Sequence, residues 1–173
     1  MNWLVVVDMQ NDFISGSLGS AEAQGIVERV AAKILKRRDE GWQTVYTRDS
    51  HGPDYLCSQE GRRLPVEHCI KGTNGHLLDS RIPVCGTVLD KPSFGSVELA
   101  RHIAGIGAER IELIGLCTDI CVISNALLLK AFLPEAEISV DASCCAGVTP
   151  QSHLNALEAM KMCQIEITGQ QQT

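Results

Sequence analysis

The chain has 173 residues, which is the length of one ordinary domain. Its hydrophobic fraction of 45% is too high for a disordered chain, and its net charge of −6 argues against nucleic acid as a partner. Its apolar runs are shorter than the ~20 residues that cross a bilayer, and no basic leader precedes the first strand. We therefore expect a cytoplasmic protein without nucleic-acid or membrane partners, whose eight cysteines are reduced thiols.

Short apolar runs alternate with amphipathic stretches along the chain. Residues 3–7 are wholly apolar and rich in valine, which indicates a buried strand. The alternation predicts an α/β fold with a parallel sheet and helices on both faces, in a single domain at 1–169 followed by a disordered tail at 170–173. Further strands are predicted at 44–47, 86–90, 110–114, 137–140 and 164–167, and helices at 21–40, 96–106, 119–132 and 150–163.

Charged and nucleophilic residues follow several of these strands. In parallel α/β folds, ligands bind beyond the carboxyl ends of the strands, so residues at those ends are the first candidates for a site. The long segment 50–83 has no clear period, and long loops in compact domains are usually functional. The candidates at strand ends are Asp8, Asp49, Asp90, Lys91, Cys117, Cys121 and Asp141.

Cys121 is expected in the first turn of a helix. The free amides and the helix dipole at this position favour a thiolate, and amides there can hold the oxyanion that forms when sulfur attacks a carbonyl. Cys117, at the strand–helix turn, is less well placed for the dipole. Because cysteine is among the residue types most often buried in cores, position alone leaves a structural role open for Cys121.

Asp8 and Lys91 are expected at the same edge of the sheet. Asp8 ends a buried strand, where a charge is costly without a partner, and Lys91 follows the strand at 86–90. Burial would raise the pKa of Asp8 and a nearby cation would lower it, so that the carboxyl could carry a proton between a thiol and a leaving group. A turn cap at Asp8 and a surface position for Lys91 are the alternative interpretations.

A second group of candidate ligands lies around the end of the second strand. Asp49 and His51 are two positions apart, which puts their side chains on one side of an extended segment. Two histidines with carboxylates suit Zn²⁺, Mn²⁺ or Fe²⁺, and such an ion could anchor a pyridine nitrogen or hold water. The long loop offers as further ligands Glu60, His68, Asp54 and Cys57.

Four segments of the chain resemble the motifs of one known enzyme family. Residues 5–13, VVVDMQNDF, resemble the opening motif of this family, with its catalytic Asp at Asp8. Residues 47–51, TRDSH, resemble its metal motif, and residues 89–94, LDKPSF, resemble the segment that bears its catalytic Lys. Residues 115–122, GLCTDICV, resemble its nucleophile motif. The segments occur in the family's order, and together they resemble the isochorismatase-like cysteine hydrolases, and within them the nicotinamidase-like branch.

The resemblance implies a fold and a triad. The fold is a three-layer α/β/α arrangement around a six-stranded, mostly parallel sheet. The triad consists of Asp8, Lys91 and Cys121. The resemblance also implies a non-proline cis peptide between Leu116 and Cys117, which would direct the amides of Cys117 and Cys121 at the oxyanion.

The resemblance further implies a metal site and a substrate wall. Family members often carry a second loop histidine six positions after the first, where this chain has Cys57, whereas others use a later Glu, which matches Glu60. The aromatic residue that often stacks on a pyridine ring falls at Leu64, which leaves Phe13 as the aromatic wall. The implied metal ligands are Asp49, His51, Glu60 and His68, with Cys57 as the alternative to Glu60.

These residues predict the hydrolysis of a small amide, such as nicotinamide, to an acid and ammonia through a thioester on Cys121. A divalent metal (Zn, Mn or Fe) is the expected cofactor, and no organic cofactor is expected. One alternative is an N-carbamoyl or ureido-acid amidohydrolase, in which Arg62, Arg63 and Lys71 could bind a carboxylate. The others are an isochorismatase-type hydrolase, which does not need the cysteine, and a non-enzymatic binding subunit. By analogy with the family, we expect a homo-oligomer.

Overall fold

The computed structural model describes residues 1–170. Within that range, strands alternate with helices along the chain, as the apolar pattern predicts. The strands are β1 (Asn2–Val7), β2 (Gln43–Asp49), β3 (Thr87–Lys91), β4 (Arg110–Leu116), β5 (Glu137–Ala146) and β6 (Glu166–Thr168).

The helices begin at local signals in the sequence. The side chain of Ser20 accepts a hydrogen bond from the Ala23 amide at the start of α2, and Thr149 and Ser152 cap α6 reciprocally. The helices are α1 (Asn11–Ile14), α2 (Ala21–Asp39), α3 (Gln59–Arg63), α4 (Val97–Ile106), α5 (Ile123–Phe132) and α6 (Pro150–Met162). A 3₁₀ turn (Tyr55–Cys57) precedes α3, and a π-helical turn (Thr118–Val122) leads into α5.

The strands form one parallel sheet in the order β3-β2-β1-β4-β5-β6. β1 lies inside the sheet, where Val5 is opposite Val45 of β2 and Leu113 of β4. The carboxyl ends of all six strands therefore point to one edge. This arrangement confirms the predicted three-layer α/β fold.

Two apolar cores lie on the two faces of the sheet. Alternate side chains of β1 enter them, with Val5 and Val7 in one core and Leu4 and Val6 in the other. α4, α5 and α6 cover the first core, and α2 covers the second. Each fully buried aliphatic side chain stabilises the fold by ~1.5–3 kcal/mol, so the end of β1 is firmly placed.

The structure differs from the sequence prediction in the second half of the chain and in the long loop. β5 continues to Ala146 instead of stopping at 140, and its second half was missed because its buried residues, such as Ala142 and Cys144, are small. β6 begins at Glu166 rather than 164, since Gln164 has a positive φ of 63°. The segment 50–83 contains the 3₁₀ turn and α3.

Within residues 1–170, no helix combines the length and apolarity that a bilayer crossing requires. The single domain at 1–169 stays a prediction. Apart from Gln170, the predicted tail at 170–173 lies outside the described residues.

Candidate active site

Three buried side chains meet at the carboxyl edge of the sheet. Asp8 directly follows β1, Lys91 is the last residue of β3, and Cys121 lies in the π-helical turn after β4. Their strands are close neighbours in the order β3-β2-β1-β4, which brings these ends together. Asp8 has a φ of 47°, which is uncommon for a residue other than glycine, and such backbone positions cluster at functional sites.

Lys91 is the centre of this group. Its Nζ lies 2.7 Å from Oδ2 of Asp8 and 3.3 Å from Sγ of Cys121, and it donates to the Ser93 carbonyl at 3.0 Å. Oδ1 of Asp8 accepts a hydrogen bond from the Thr47 hydroxyl at 2.6 Å. A carboxylate oxygen has two lone pairs, so Oδ2 of Asp8 can take a proton while it faces the ammonium of Lys91.

Burial sets the protonation states of the three residues, which are 0% (Asp8), 1% (Lys91) and 5% (Cys121) exposed. Burial raises the pKa of Cys121 well above its ordinary value, and the charge of Asp8 adds to this effect while Lys91 opposes it. Burial also raises the pKa of Asp8 against the opposing charge of Lys91. Burial would lower the pKa of Lys91, but the charge of Asp8 outweighs it and raises that pKa, with further contributions from the Cys121 sulfur when it is ionised and from Asp49. The resting sulfur is therefore a thiol that needs a base, rather than the thiolate that the helix start alone favours.

The nucleophile segment begins with a glycine and a cis peptide. Gly115 has a φ of 118°, and a Cβ at this position would collide with the Val7 carbonyl of β1, so only glycine fits the close approach of β4. The peptide bond between Leu116 and Cys117 is cis. Burial raises the pKa of the Cys117 thiol to about 12. That the amides of Cys117 and Cys121 hold an oxyanion stays a prediction.

The four predicted metal ligands converge beside this group, and we call them the metal group. One ligand atom from each of Asp49, His51, Glu60 and His68 lies within 4.8 Å of the others. Nε2 of His51 is 2.9 Å from Oδ2 of Asp49 and 3.8 Å from Oε1 of Glu60, and Nε2 of His68 is 3.5 and 3.7 Å from the same two atoms. Nδ1 of His68 faces the Val66 carbonyl at 2.8 Å, which directs its Nε2 into the group.

The donor set of the metal group fits a divalent transition metal. Imidazole nitrogens and carboxylate oxygens together suit Zn²⁺, Mn²⁺ and Fe²⁺. Burial would raise the pKa of Asp49, but hydrogen bonds from His51 and His68 and the charge of Lys91 hold it below its ordinary value, so the carboxylate is ionised as a ligand must be. Cys57, the alternative ligand, is exposed and its thiol lies outside the group.

Asp49 joins the metal group to the triad. Its Oδ1 faces Nζ of Lys91 at 3.3 Å, and its Oδ2 faces the imidazole of His51. Gln10 clamps its backbone, because Nε2 of Gln10 donates to the Asp49 carbonyl at 2.9 Å while Oε1 accepts from the Asp49 amide at 2.7 Å. A change in charge at either group therefore reaches the other through one carboxylate.

Comparison with known proteins is consistent with this geometry. The family model of the isochorismatase domain matches residues 2–172. The chain belongs to the isochorismatase family.

Three members of the isochorismatase family illustrate the similarity. The crystal structure of pyrazinamidase of Pyrococcus horikoshii in complex with zinc is 30% identical, with a TM-score of 0.84, over 96% of this chain and 98% of that one. N-carbamoylsarcosine amidase from Thermoplasma acidophilum is 29% identical, with a TM-score of 0.81, over 96% and 95%. A nicotinamidase/pyrazinamidase from Mycobacterium tuberculosis is 23% identical, over 96% of this chain and 98% of the relative.

Aromatic rings border the metal group of this isochorismatase-family site. The ring of Phe13 lies 5.5 Å from that of His68, and the ring of Tyr55 lies 4.7 Å from His51 and 4.9 Å from His68. The side chain of Leu64 is 39% exposed, and its carbonyl accepts a hydrogen bond from the Tyr55 hydroxyl at 3.0 Å. The structure thus places Phe13 against the metal group and the backbone of Leu64 next to it.

Four buried residues of the site were missed by sequence reasoning, namely Gln10, Thr47, Tyr55 and Asn125. Gln10 and Thr47 carried a signal, because each lies within two residues of a predicted site residue, Asp8 or Asp49. Tyr55 lies within two residues of the candidate ligands Asp54 and Cys57 and so carried a signal as well. Asn125 carried none, since its contacts with Phe94 and Ser96 depend on the packing of a distant segment.

Proposed function

We propose that this isochorismatase-family protein is a cysteine-dependent amidohydrolase that cleaves a small linear amide, such as nicotinamide, to an acid and ammonia. The observation that carries the proposal is one ammonium, that of Lys91, within 2.7 Å of the Asp8 carboxylate and 3.3 Å of the Cys121 sulfur. Relatives named as a pyrazinamidase and an N-carbamoylsarcosine amidase support amide cleavage.

In the first half of the reaction, Asp8 accepts the proton of the Cys121 thiol as the sulfur bonds to the carbonyl carbon of the amide. The ammonium of Lys91 stabilises the Asp8 carboxylate before the proton moves and the negative charge on the Cys121 sulfur as it moves, because charge interactions are strong away from water. The amides of Cys117 and Cys121 donate hydrogen bonds to the oxyanion. The carbon–nitrogen bond then breaks, the nitrogen takes the proton from Asp8, and ammonia leaves a thioester on Cys121.

In the second half, a water molecule attacks the carbonyl carbon of the thioester while Asp8 accepts a proton from it. The carbon–sulfur bond breaks, the acid leaves, and the sulfur recovers the proton from Asp8. One water is consumed, and one ammonia and one acid are released in each cycle. Asp8 thus carries a proton in both halves, which agrees with its raised pKa, caused by burial.

The metal group would hold a divalent ion at the wall of the reaction centre. When bound, that ion supplies a Lewis acid that can anchor a ring nitrogen of the substrate. The Phe13 ring borders the metal group and can exclude water from one side of a flat substrate. Asp49 orients Lys91 from the same side, at 3.3 Å.

Ammonia release across an amide panel tests the proposal. The panel contains nicotinamide, pyrazinamide, N-carbamoyl acids and ureidoacrylate, each with and without chelator. We expect Cys121→Ala to reduce release to the uncatalysed rate and Cys145→Ala, a matched cysteine buried in the core at 4% exposed, to leave it unchanged. Release by Cys121→Ala at the wild-type rate would refute the mechanism.

An N-carbamoyl or ureido acid is the second candidate substrate, since one solved relative is an N-carbamoylsarcosine amidase and Leu64 offers no ring for stacking. Its carboxylate needs a cation, but two of the candidates are engaged with the protein. Arg62 donates to the Cys57 carbonyl at 2.6 Å, and Nζ of Lys71 lies 3.8 Å from Asp90. We therefore place nicotinamide first, and the same panel separates the two classes.

Two alternative functions and the expected homo-oligomer have their own tests. A vinyl-ether substrate, as in isochorismate hydrolysis, predicts turnover that survives Cys121→Ala. A non-enzymatic binding subunit predicts that the wild type releases no more ammonia from any amide of the panel than Cys121→Ala does. A homo-oligomer predicts a solution mass that is a multiple of 18.8 kDa.

A further inference from the structure

The side chain of Asn125 is buried between the nucleophile helix and the segment that follows β3. Asn125 lies on α5 and is fully buried. Its Nδ2 donates to the carbonyls of Cys121 at 2.8 Å and Phe94 at 3.1 Å, and its Oδ1 accepts from the Ser96 amide at 2.9 Å. One side-chain amide therefore ties three backbone groups on two separate segments.

Each of these segments carries one member of the triad. Cys121 lies one turn before Asn125, and the segment 92–96 directly follows Lys91. The Ser93 carbonyl in that segment accepts a hydrogen bond from Nζ of Lys91 at 3.0 Å, so the position of the segment helps to set the position of the ammonium. Asn125 thus joins the strand end that delivers the ammonium to the helix that delivers the sulfur.

We propose that Asn125 is a positioning residue that sets the separation of 3.3 Å between Nζ of Lys91 and Sγ of Cys121. It acts through the backbone of the two segments and touches neither the substrate nor the reacting atoms. The inference rests on the proposed function wherever the rate of amide cleavage is its readout.

The chemistry of the side chain explains why asparagine suits this position. A carboxamide offers two N–H donors and an acceptor on a short stem, and all three bonds use these groups. An aspartate of the same shape offers acceptors alone, so it would keep the bond from Ser96 and set a negative charge against two carbonyl oxygens. Volume and hydrogen bonding can therefore be separated by substitution.

Steady-state kinetics of three variants test the proposal on the amide that the wild type cleaves best. We expect Asn125→Asp and Asn125→Ala to lower kcat at least about tenfold while KM stays within about twofold, because the reacting groups rather than the substrate are displaced. The control is Ala126→Gly, which weakens the same helix at a buried position without touching the three bonds. Its kcat should stay within about twofold of the wild type.

Crystal structures of the wild type and the Asn125 variants give a readout that does not depend on amide cleavage. We expect the segment 93–96 to shift and the distance from Nζ to Sγ to exceed ~4 Å in the variants. A wild type that cleaves nothing in the panel would refute the proposed function and leave this measurement valid. If Asn125→Ala does not fold, Asn125→Ser, with one donor, takes its place. An Asn125→Asp variant with wild-type kcat, or an unchanged distance, would overturn the proposal.

Discussion

Lys91 is a buried cation that contacts two carboxylates and a cysteine sulfur. Its ammonium faces the carboxylates of Asp8 and Asp49 and the sulfur of Cys121. Taking a single charge out of water costs on the order of several kcal/mol, so the ammonium and the Asp8 carboxylate are tolerable here only together. Asp8, the proposed proton carrier, is therefore also one half of a buried ion pair that the fold requires.

The losses of stability caused by removing Asp8 and Lys91 should not be additive. We expect Asp8→Asn and Lys91→Met each to lower the free energy of unfolding by ~3 kcal/mol, because each leaves a buried charge without its partner. The double variant should lose less than the sum of the two. Urea denaturation of the four proteins measures the coupling, and losses that add within ~0.5 kcal/mol would contradict a buried pair.

Glu60→Gln should weaken zinc binding, and Cys57→Ala should not. Oε1 of Glu60 lies 3.8 and 3.7 Å from the Nε2 atoms of His51 and His68, whereas the Cys57 thiol is exposed and outside the metal group. Competition with a chromogenic chelator measures the affinity, and we expect a loss of at least about tenfold for Glu60→Gln. A tenfold loss in Cys57→Ala with no loss in Glu60→Gln would assign the ligand to the thiol.

The charged members of the site could be predicted from the sequence, and its neutral supports could not. Asp8 and Lys91 follow apolar strands, and the rule for parallel sheets brings such ends to one edge. Asn125 lies among the residues of α5, and no local pattern indicates that it reaches the Phe94 carbonyl. The helix start alone favours a thiolate at Cys121, whereas its burial raises the pKa of the thiol, an effect that depends on packing and not on the local sequence.

At the scale of elements, α2 is held on the sheet by charge as well as by apolar contact. Nζ of Lys33 lies 2.6 Å from Oδ2 of Asp141 on β5 and 3.3 Å from Oε1 of Glu112 on β4. Nε of Arg37, one turn later, lies 2.7 Å from Oε2 of Glu112. Glu112 and Asp141 are buried, so these pairs fix the position of the helix along two strands.

Acid should remove the stabilisation that Asp141 provides. Burial would raise the pKa of Asp141, but hydrogen bonds from Lys33 and Ser143 hold it below its ordinary value. A depressed folded-state pKa means that the contribution is complete above the unfolded value of about 3.9 and is lost as pH falls through the folded value.

We therefore expect Asp141→Asn to be less stable than the wild type at pH 7, with a difference that shrinks below about pH 4. Urea denaturation across this range measures the difference. The exposed Asp54→Asn is the control and should change stability by under about 0.5 kcal/mol throughout. A gap for Asp141→Asn that stays constant with pH would contradict the ion pair with Lys33.

The elements themselves were predicted where the pattern of residues is strong. β1 is a run of apolar residues and α2 has helical spacing between caps, and both were found within two residues of their bounds. The second half of β5 was missed because its buried residues are small. The helix predicted at 119–132 is present, but its first turn is π-helical, for which the sequence has no pattern.

At the scale of the whole molecule, the strand order decides where each member of the triad is held. β1, which ends at Asp8, pairs with a strand on both sides, whereas β3, which ends in Lys91, pairs with β2 alone among the described strands. Short right-handed crossovers restrict the possible orders of a parallel sheet but leave several open. The class of fold could therefore be predicted from the residues, and the order of the strands in the sheet could not.

The outermost position of Lys91 gives the protein a weak point. A five-residue outer strand detaches more easily than a central one, so the ammonium should leave the sulfur while both cores remain packed. On warming, ammonia release should disappear several degrees before the helical circular dichroism, and backbone amides of 87–91 should exchange hydrogen faster than those of 2–7. Coincident transitions would show that the strand opens only with the entire sheet. If the strand opens first, moderate heat inactivates this protein reversibly by detaching its outermost strand, and cooling restores ammonia release without refolding of the whole chain.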